Sequence, residues 1–343
     1  MNKKIIYLCA CAVAGLMLTT SCQDSLETDS SNSNTRSVII DKNVFAVKGR
    51  INVKLTEAAT RAIPATRSGK IDMQSVPSPM LSAMNYAGAY RMERVFKPAG
   101  VYEARTKAAG LDRWYTIYFD DSKDVSTVIE HFNKVKGVEF AERILPISQP
   151  KETSVPYEGS ASGMQTRVGN SAFNDPLLSK QWHYYNDGTI SPRAKKGADC
   201  NVLPVWEKYT TGKSNVIVAV VDGGIDVTHE DLVDNLYVNE KEKNGQPGVD
   251  DDGNGFVDDV NGYNFVEATD VVGGTIEPDD EGHGTHVAGT VAARNNNGKG
   301  VSGIAGGDGS TGSGVRLMSC QIFRNKNEQG DAAAAIKYAA DNG

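Results

Sequence analysis

The first half of the chain alternates apolar and polar residues in two short stretches. In both, the apolar residues recur at every second position, which is the period of a β-strand with one buried face. The alternating residues are Ile51, Val53 and Leu55 in RINVKL, and Tyr115, Ile117 and Phe119 in YTIYF. A third stretch, VEFAERI at residues 138–144, has the same strand character. We therefore expect at least three strands in this part of the chain.

One segment between these strands has helical spacing instead. Its apolar residues are Val125, Val128, Ile129, Phe132 and Val135. Asp124 is a suitable N-cap before them, and Gly137 is a suitable stop after the last turn. Strand, helix and strand joined by short links predict a small α+β domain over residues 38–150, with one sheet and helices on one of its faces.

A different hydrophobic pattern begins after residue 171. The segment Asn215–Asp222, NVIVAVVD, is apolar almost without interruption. Continuous apolar runs are typical of central parallel strands, because both faces of such strands are covered. VRLMSCQIF at residues 315–323 has the same character, and segments rich in small residues at 284–293 and 331–341 have the length of helices. The pattern predicts an α/β unit with a parallel sheet over residues 171–343.

The start of the chain has the features of an export signal. Lys3 and Lys4 precede an apolar run from Ile5 to Leu18. Its 14 residues are fewer than the roughly 20 that span a bilayer as a helix. Cys22 then follows small residues, as does the lipid-bearing cysteine of a bacterial lipobox, although Thr19 stands where that motif usually has leucine. We expect an exported lipoprotein, membrane-anchored at the bacterial cell envelope or surface, with a plain secreted protein as the alternative.

Two polar segments separate the signal, residues 1–22, from the predicted domains. Residues 23–37, QDSLETDSSNSNTRS, contain little that could pack, so we expect a flexible tether. Residues 151–170 are rich in Ser, Gly and Thr and are expected to link the α+β domain to the α/β unit.

Charge and cysteine content narrow the choice of partners. A net charge of −7 without a basic stripe argues against nucleic acid, and membrane contact is expected only through a lipid on Cys22. Cys9 and Cys11 lie in the signal, which leaves Cys200 and Cys320 in the α/β unit. We expect these two to be separate buried thiols, with one disulfide between them as the alternative.

Asp222 and His283 are candidate catalytic residues. Asp222 ends the first apolar run before Gly223 and Gly224 turn the chain, and open α/β sheets place their active sites at the carboxyl ends of strands. His283 begins a small-residue helix within GHGTHVAGTVAA at residues 282–293, beside the same edge of the sheet. An orienting carboxylate and a general base have this form, since the carboxylate fixes the imidazole tautomer. Taken alone, Asp222 also fits a residue that only ends a strand and caps a turn.

Two motifs in this part resemble the Asp and His signatures of the subtilisin-like serine peptidases, the subtilases. They are VIVAVVDGGIDVTHEDL at residues 216–232 and GHGTHVAGTVAA at residues 282–293. The Asp motif precedes the His motif, as in the family, whose triad runs Asp, His, Ser along the chain. The resemblance implies that Asp222 is the orienting carboxylate and His283 the general base, on a doubly wound parallel sheet. It extends from NDPLLSKQWH at residues 174–183 to the last residue, about half of the chain. Gly223 departs from the family, which usually has Thr or Ser there.

The resemblance also implies a role for the first domain and for a late loop. Subtilases often carry an α+β propeptide that chaperones folding and inhibits the enzyme by laying its C-terminal tail in the active-site cleft. Residues 38–150 are expected to be such a propeptide, the peptidase's own inhibitor, with a plain adhesion domain as the alternative. The loop of Gln329, Gly330 and Asp331 resembles one wall of the substrate-binding cleft.

The family's nucleophile has no counterpart in the sequence. It lies in a Gly-Thr-Ser-x-Ala-type motif at the start of a helix, well after the His. The serines that follow His283 lack that context; they are Ser302, Ser310, Ser313 and Ser319. We therefore expect an incomplete subtilase domain, truncated before the Ser and the oxyanion Asn, and a chain that is inactive by itself.

A short acidic segment is a candidate calcium site. VDDDGNGFVDD at residues 249–259 places alternate oxygens on a tight turn, as the first half of a calcium loop does. The expected ligands are Asp250, Asp252, Asn254 and Asp258. Asn261 stands at the twelfth position, where such loops normally have a bidentate Glu. Five Asp within 10 residues repel one another unless water or a cation screens them, and subtilases commonly bind structural calcium. We expect calcium here, with a solvated acidic loop as the alternative.

These features predict an exported subtilisin-like serine endopeptidase precursor that cleaves peptide bonds in protein or peptide substrates through an Asp-His-Ser triad. Two alternatives belong to other classes. One is a non-catalytic module whose propeptide-like domain inhibits or chaperones another peptidase. The other is a calcium-stabilised surface lipoprotein with a degenerate peptidase domain.

Overall fold

The computed structural model describes eight stretches of the chain. They are residues 40–41, 45–64, 66–148, 173–189, 191–266, 273–278, 282–324 and 328–343. The signal, tether and linker predicted at residues 1–22, 23–37 and 151–170 lie outside them. Within these stretches, no helix combines the length and the apolarity needed to cross a bilayer.

The described residues form ten strands in three sheets. The strands are β1 (Ile40–Asp41), β2 (Ala46–Val47), β3 (Arg50–Leu55), β4 (Lys70–Ile71), β5 (Arg91–Arg94), β6 (Trp114–Tyr118), β7 (Val138–Arg143), β8 (Ile217–Asp222), β9 (Gly262–Asn264) and β10 (Arg316–Gln321). β1 and β2 form an antiparallel pair. Five strands form an antiparallel sheet in the order β4-β5-β6-β3-β7, and the last three form a parallel sheet in the order β8-β10-β9.

Helices connect and cover these strands. The α-helices are α1 (Glu57–Arg61), α2 (Leu81–Ala87), α3 (Glu103–Ala108), α4 (Val125–Asn133), α5 (Leu203–Lys208), α6 (Glu240–Lys243), α7 (His283–Ala292) and α8 (Ala332–Asn342). Short 3-10 helices are Met73–Ser75, Ser78–Met80, Gly100–Tyr102, Leu111–Arg113, Leu178–Lys180 and Val233–Asn235.

The alternation of apolar residues decides which face of β3 is buried. Its fully buried residues are Ile51, Val53 and Leu55, and the residues between them are partly exposed. Helix α4 begins after Asp124, whose carboxylate accepts a hydrogen bond from the backbone N of Thr127 at 2.7 Å. It packs Val128 and Phe132 into the same core, and burying each such side chain stabilises the fold by about 1.5–3 kcal/mol. The predicted sheet with a covering helix is confirmed.

Strand β6 is more buried than its alternation predicts. Tyr115 and Ile117 face the core as expected, but Thr116 and Tyr118 on the opposite face are buried as well. The guanidinium carbon of Arg91 lies 3.5 Å from the centroid of the Tyr118 ring and covers it. The strand that carries this arginine, β5, could not be predicted, because only one of its four residues is buried and the other three are charged.

In the α/β unit, β10 rather than β8 is the central strand of the described sheet. The two strands are parallel along their whole length, and β9 pairs with the other side of β10. The apolar run of β8 predicted a central strand, and this is wrong within the described residues, since β10 is the one strand beside β8 there. Accordingly, Val218 and Val220 are the buried residues of β8, and its other four residues are partly exposed.

Helices cover both faces of this parallel sheet. Successive side chains of β10 point to opposite sides, and Leu317 packs in one cluster with Ala288 and Ala292 of α7. Met318 packs in another cluster with Tyr338 of α8. An α/β architecture with helices on two sides is therefore confirmed, preceded by the small α+β domain.

The α+β domain contacts the α/β unit along the segment that precedes α3. The backbone N of Val101 donates a hydrogen bond to Gly253 O at 2.8 Å. Arg105 of α3 forms an ion pair with Asp341 near the end of α8. The acidic segment of residues 249–259 thus lies at the junction of the two domains.

The two cysteines of the α/β unit are both free, so the disulfide alternative is wrong. Cys320 is buried in β10 as expected, and its burial raises the pKa of the thiol far above its usual range. Cys200 is exposed, so the prediction that it is buried is wrong. It lies in an irregular loop, where its Sγ donates a hydrogen bond to His183 O at 2.8 Å.

Candidate active site

Asp222 and His283 lie side by side in the structure. His283 Nδ1 is 2.7 Å from Asp222 Oδ1, which is a hydrogen-bonding distance. Because an ionised carboxylate can only accept, Nδ1 carries the proton of the neutral ring and Nε2 is left as its acceptor. The two side chains are 13% and 14% exposed, so water competes little for this hydrogen bond.

Local backbone structure places each member of the pair. Asp222 is the last residue of β8, and its Oδ1 accepts a second hydrogen bond from the backbone N of Gly223 at 2.6 Å. His283 is the first residue of α7, after Gly282, whose φ of +67° is in the left-handed region that favours glycine. The strand end and the helix start therefore meet at one edge of the sheet, as the sequence predicts.

The first turn of α7 is attached to the loop that follows Asp222. Thr285 Oγ1 accepts a hydrogen bond from the backbone N of Asp226 at 2.9 Å. Gly284 packs directly on this loop, because a Cβ at that position would lie 2.2 Å from Gly224 O. These contacts fix the separation between the carboxylate and the imidazole.

Two buried polar residues of β10 hold the other side of the same loop. Ser319 Oγ accepts a hydrogen bond from the backbone N of Ile225 at 3.2 Å, and Gln321 Nε2 lies 3.2 Å from Gly223 O. Sequence reasoning missed both roles, because a Ser and a Gln inside an apolar strand carry no local signal.

The loop expected to form a wall of the cleft lies beside the site. Gln329 forms an antiparallel bridge with Phe323, and Gly330 forms one with Val266. Asp331 caps α8 by accepting a hydrogen bond from the backbone N of Ala334 at 2.9 Å. Gln329, Gly330 and Asp331 therefore form a short extended edge that ends at a helix.

The α+β domain reaches this edge. The backbone N of Ile147, four residues after the end of β7, donates a hydrogen bond to Gln329 Oε1 at 3.3 Å. The last described residues of the domain thus contact the segment that is a candidate for substrate binding.

The acidic segment gathers a different set of carboxylates from the one expected. Oxygens of Glu242, Asp250 and Asp252 all lie within 4.8 Å of one another. Glu242 comes from α6, before the segment, and is only 5% exposed. Its burial raises the pKa of its carboxyl. Sequence reasoning missed Glu242, because only the tertiary fold brings α6 against the loop.

The other two expected ligands are arranged differently from a calcium loop. Asn254 directs its amide nitrogen at carboxylates, with Nδ2 at 3.2 Å from Asp252 Oδ2 and 2.9 Å from Asp259 Oδ2. Asp258 accepts a hydrogen bond from the backbone N of Gly248 at 2.8 Å and is not a member of the cluster. The structure therefore brings together Asp250, Asp252 and Asn254, with Asn254 as a hydrogen-bond donor to the two carboxylates, and leaves Asp258 outside the cluster.

Two family models match the chain. Residues 213–343 match the model described as "Subtilase family", and residues 51–188 match "N-terminal of Subtilase family". The first match contains both Asp222 and His283. The second covers most of the α+β domain.

Individual relatives agree with these matches. Subtilisin-like protease 1 of Plasmodium vivax is 50% identical over 152 residues, which are 43% of this chain and 21% of the relative. Kexin of Saccharomyces cerevisiae is 28% identical over 197 residues, 57% of this chain and 19% of the relative. The chain spans about a fifth of the length of the curated relatives that it matches.

A solved complex of Aeromonas sobria serine protease and its chaperone is similar over 50% of this chain and 23% of that chain, at 27% identity. Its TM-score of 0.33 is too low to bear on the fold. The family assignment depends on the two successive model matches, over residues 51–188 and 213–343, and on the relatives. The chain therefore belongs to the subtilase family, with the family's N-terminal domain ahead of its peptidase domain.

Proposed function

We propose that the protein is the precursor of an exported subtilisin-like serine endopeptidase, in which Asp222 orients His283 and His283 is the general base of an Asp-His-Ser triad. The observation that carries the proposal is the 2.7 Å contact between His283 Nδ1 and Asp222 Oδ1 at the carboxyl end of β8. Membership of the family supports peptide bonds as the substrate.

The geometry supplies the acid–base half of peptide hydrolysis. With the Nδ1 proton held by Asp222, Nε2 of His283 can take the proton of a serine hydroxyl as that oxygen attacks the peptide carbonyl. The imidazolium that forms is stabilised by the adjacent carboxylate, and its Nε2 proton then passes to the leaving amine. Low exposure of both side chains strengthens that stabilisation.

The test is peptide hydrolysis by the complete product of the reading frame. We expect Asp222→Asn to lower kcat by about 10⁴-fold, because the base is then misoriented, and His283→Ala to lower it by about 10⁶-fold, because the base is missing. His286→Ala is the matched control, since His286 is exposed on the same helix, one turn after His283. Full hydrolysis by the His283→Ala enzyme would rule out the proposed base.

We further propose that the α+β domain is the peptidase's own inhibitor. The contact between Ile147 N and Gln329 Oε1 supports this, since it occupies an edge where an extended peptide substrate would bind. Ile147→Pro removes the N–H donor, and we expect activity to begin sooner after synthesis. Leu145→Ala, a change at an exposed neighbour, should leave the delay unchanged. An unchanged delay in the proline variant would contradict inhibition through this contact.

A structural calcium ion is also proposed, held by Glu242, Asp250 and Asp252. Three carboxylates within 4.8 Å form a hard oxygen donor set, which suits Ca²⁺. A bound divalent cation would offset the mutual repulsion of these carboxylates and so stabilise the loop at the domain junction.

Calcium binding is tested by the change in melting temperature on adding CaCl₂. We expect a rise that Glu242→Gln, Asp250→Asn and Asp252→Asn remove. Asp251→Asn is the matched control, because the Asp251 carboxylate accepts a hydrogen bond from the backbone N of Gln246 at 2.7 Å and lies outside the cluster. Asp258→Asn tests the ligand set expected from sequence alone, and we expect it to behave like the control.

Export and lipid attachment at Cys22 complete the proposal. The apolar run and the small residues before Cys22 support them. Metabolic labelling with a radioactive fatty acid should label the wild-type chain and not the Cys22→Ser variant. Equal labelling of both would exclude Cys22 as the anchor.

A further inference from the structure

Gln321 is a fully buried amide at the end of an apolar strand. It is the last residue of β10, has no exposed surface, and lies directly beside Asp222 in the parallel register. A buried amide without partners is strongly disfavoured, so the partners of Gln321 show what this position requires.

The two ends of the Gln321 amide bind four backbone groups. Oε1 accepts a hydrogen bond from the backbone N of Glu277 at 2.8 Å. Nε2 faces three carbonyl oxygens: Phe323 O at 2.9 Å, Gly223 O at 3.2 Å, and Glu277 O. Carbonyls only accept, so their presence on one side assigns the NH₂ group to that side.

These backbone groups belong to three segments of the candidate site. Gly223 directly follows Asp222, and Glu277 lies six residues before His283. Phe323 bridges to Gln329 at the proposed wall of the cleft. Gly224 also packs on the amide, since a Cβ there would lie 2.9 Å from Gln321 Cδ.

We propose that Gln321 is a positioning residue of this site: its amide holds the loop after Asp222, the segment before His283 and the root of the cleft wall together, so that the Asp222–His283 hydrogen bond forms. The role of that hydrogen bond in catalysis rests on the proposed function. The positioning itself does not, because it concerns the geometry of the pair and can be observed without hydrolysis.

The test observes the Nδ1 proton of His283 in this chain by NMR, since such a proton shared with a carboxylate resonates far downfield of the amides. We expect the wild-type chain to show this signal and Gln321→Met to lose it, because Met fills the space but pairs with none of the four backbone groups. Gln181→Met is the matched control. Gln181 also binds a backbone with both amide ends, Ser302 N and Ser302 O, each at 2.8 Å, away from Asp222.

A folded Gln321→Met chain that keeps the downfield signal would overturn the proposal, as would an equal loss of signal in Gln181→Met. If Gln321→Met does not fold, Gln321→Glu is the second variant. It keeps the shape and the acceptor for Glu277 N, but places a carboxylate oxygen against Gly223 O and Phe323 O. We expect it to fold and to lack the signal at pH 8. Retention of the signal, or failure of both variants to fold while Gln181→Met folds, would assign Gln321 a structural role only.

The outcome is separable from that of the hydrolysis experiment. Loss of the signal in Gln321→Met together with an inactive wild-type enzyme would support positioning and contradict the peptidase. If hydrolysis depends on His283 but the downfield signal is unchanged in Gln321→Met, the result would support the peptidase and contradict positioning.

Discussion

Asp259 is a carboxylic acid with no exposed surface, in the acidic loop of the α/β unit that contacts the first domain. Its Oδ2 accepts hydrogen bonds from Tyr338 OH at 2.7 Å and from Asn254 Nδ2 at 2.9 Å. Burial, together with the negative charges of Asp252 and Glu242, raises the pKa of Asp259 to about 7, although the hydrogen bonds from Tyr338 and Asn254 act to lower it. The protonation of one residue therefore affects how the loop is held.

This pKa predicts how stability depends on pH in metal-free buffer. Between about pH 4 and pH 7 the folded chain keeps a proton on Asp259 that the unfolded chain releases, so the free energy of unfolding falls as pH rises. Above pH 7 both states are ionised and this contribution is constant. We expect Asp259→Asn to remove a decline on the order of 2–4 kcal/mol between pH 5 and pH 8.

Urea unfolding at the two pH values measures this difference. Asp251→Asn, at an exposed carboxylate of the same loop, is the control and should keep the wild-type decline. An equal decline in Asp259→Asn would show that Asp259 is ionised in the folded state at pH 5.

The two described cysteines differ in solvent exposure, and this difference predicts their reactivity. Cys200 is exposed and Cys320 is buried in β10 with a raised pKa. We expect iodoacetamide to alkylate Cys200 in the native chain and Cys320 only after unfolding, because the thiolate is the reactive form and must be accessible. Peptide mapping by mass spectrometry measures both. Native alkylation of Cys320 would show that β10 opens readily.

At the scale of elements, α7 depends on small residues for its distance from the sheet. Its first turn carries the candidate base, and its buried residues are Gly284, Ala288 and Ala292. The helix has a second glycine, Gly289, at which a Cβ would meet nothing within 4 Å. Two glycines in one helix therefore have different reasons to be there.

This contrast predicts opposite effects of one substitution. Gly284→Ala would place a Cβ 2.2 Å from Gly224 O, so α7 must move away from the Asp222 loop, and we expect a loss of about 1–3 kcal/mol of stability. Gly289→Ala should instead raise the free energy of unfolding by about 0.5–1 kcal/mol, because alanine restricts the unfolded chain. Chemical denaturation compares the two. Destabilisation by both would mean that Gly289 is packed more tightly than the structure shows.

At the scale of the whole molecule, the two domains meet backbone against backbone. A Cβ at Gly100 would lie 1.8 Å from Gly253 O, and one at Gly255 would lie 2.2 Å from Pro98 O. The hydrogen bond from Val101 N to Gly253 O lies between these approaches. Gly253 and Gly255 belong to the acidic loop, so a change in the conformation of that loop also changes how the first domain packs against the α/β unit.

Gly100→Ala should therefore loosen the junction. The position has a φ of +47° and also lacks room for a Cβ, so we expect several-fold faster hydrogen exchange at the amide of Val101. Gly248→Ala is the matched control, because that glycine has a φ of +80° in the same region but nothing within 4 Å of an added Cβ. Equal effects of the two variants would assign the change to backbone strain alone.

Local sequence patterns predicted those structural features that depend only on residues close together along the chain. The strand period placed β3, and the caps at Asp124 and Asp331 placed the starts of α4 and α8. These predictions held because burial of one face and satisfaction of the first backbone N–H groups are decided within a few residues. The charged strand β5 and the exposure of Cys200 did not follow, because each depends on what packs on it from elsewhere.

Motifs and periodicities within short segments were enough to predict the family and the α+β and α/β parts, and to name Asp222 and His283 as candidate residues that the fold then brings together. Only the tertiary structure decided that Gln321 joins three segments of the site, that Glu242 rather than Asp258 joins the acidic cluster, and that this cluster lies against the first domain. The physical reason is the same in each case. Buried polar groups must find partners, and those partners lie on segments that are distant in sequence and become neighbours only when the sheet and its helices have packed.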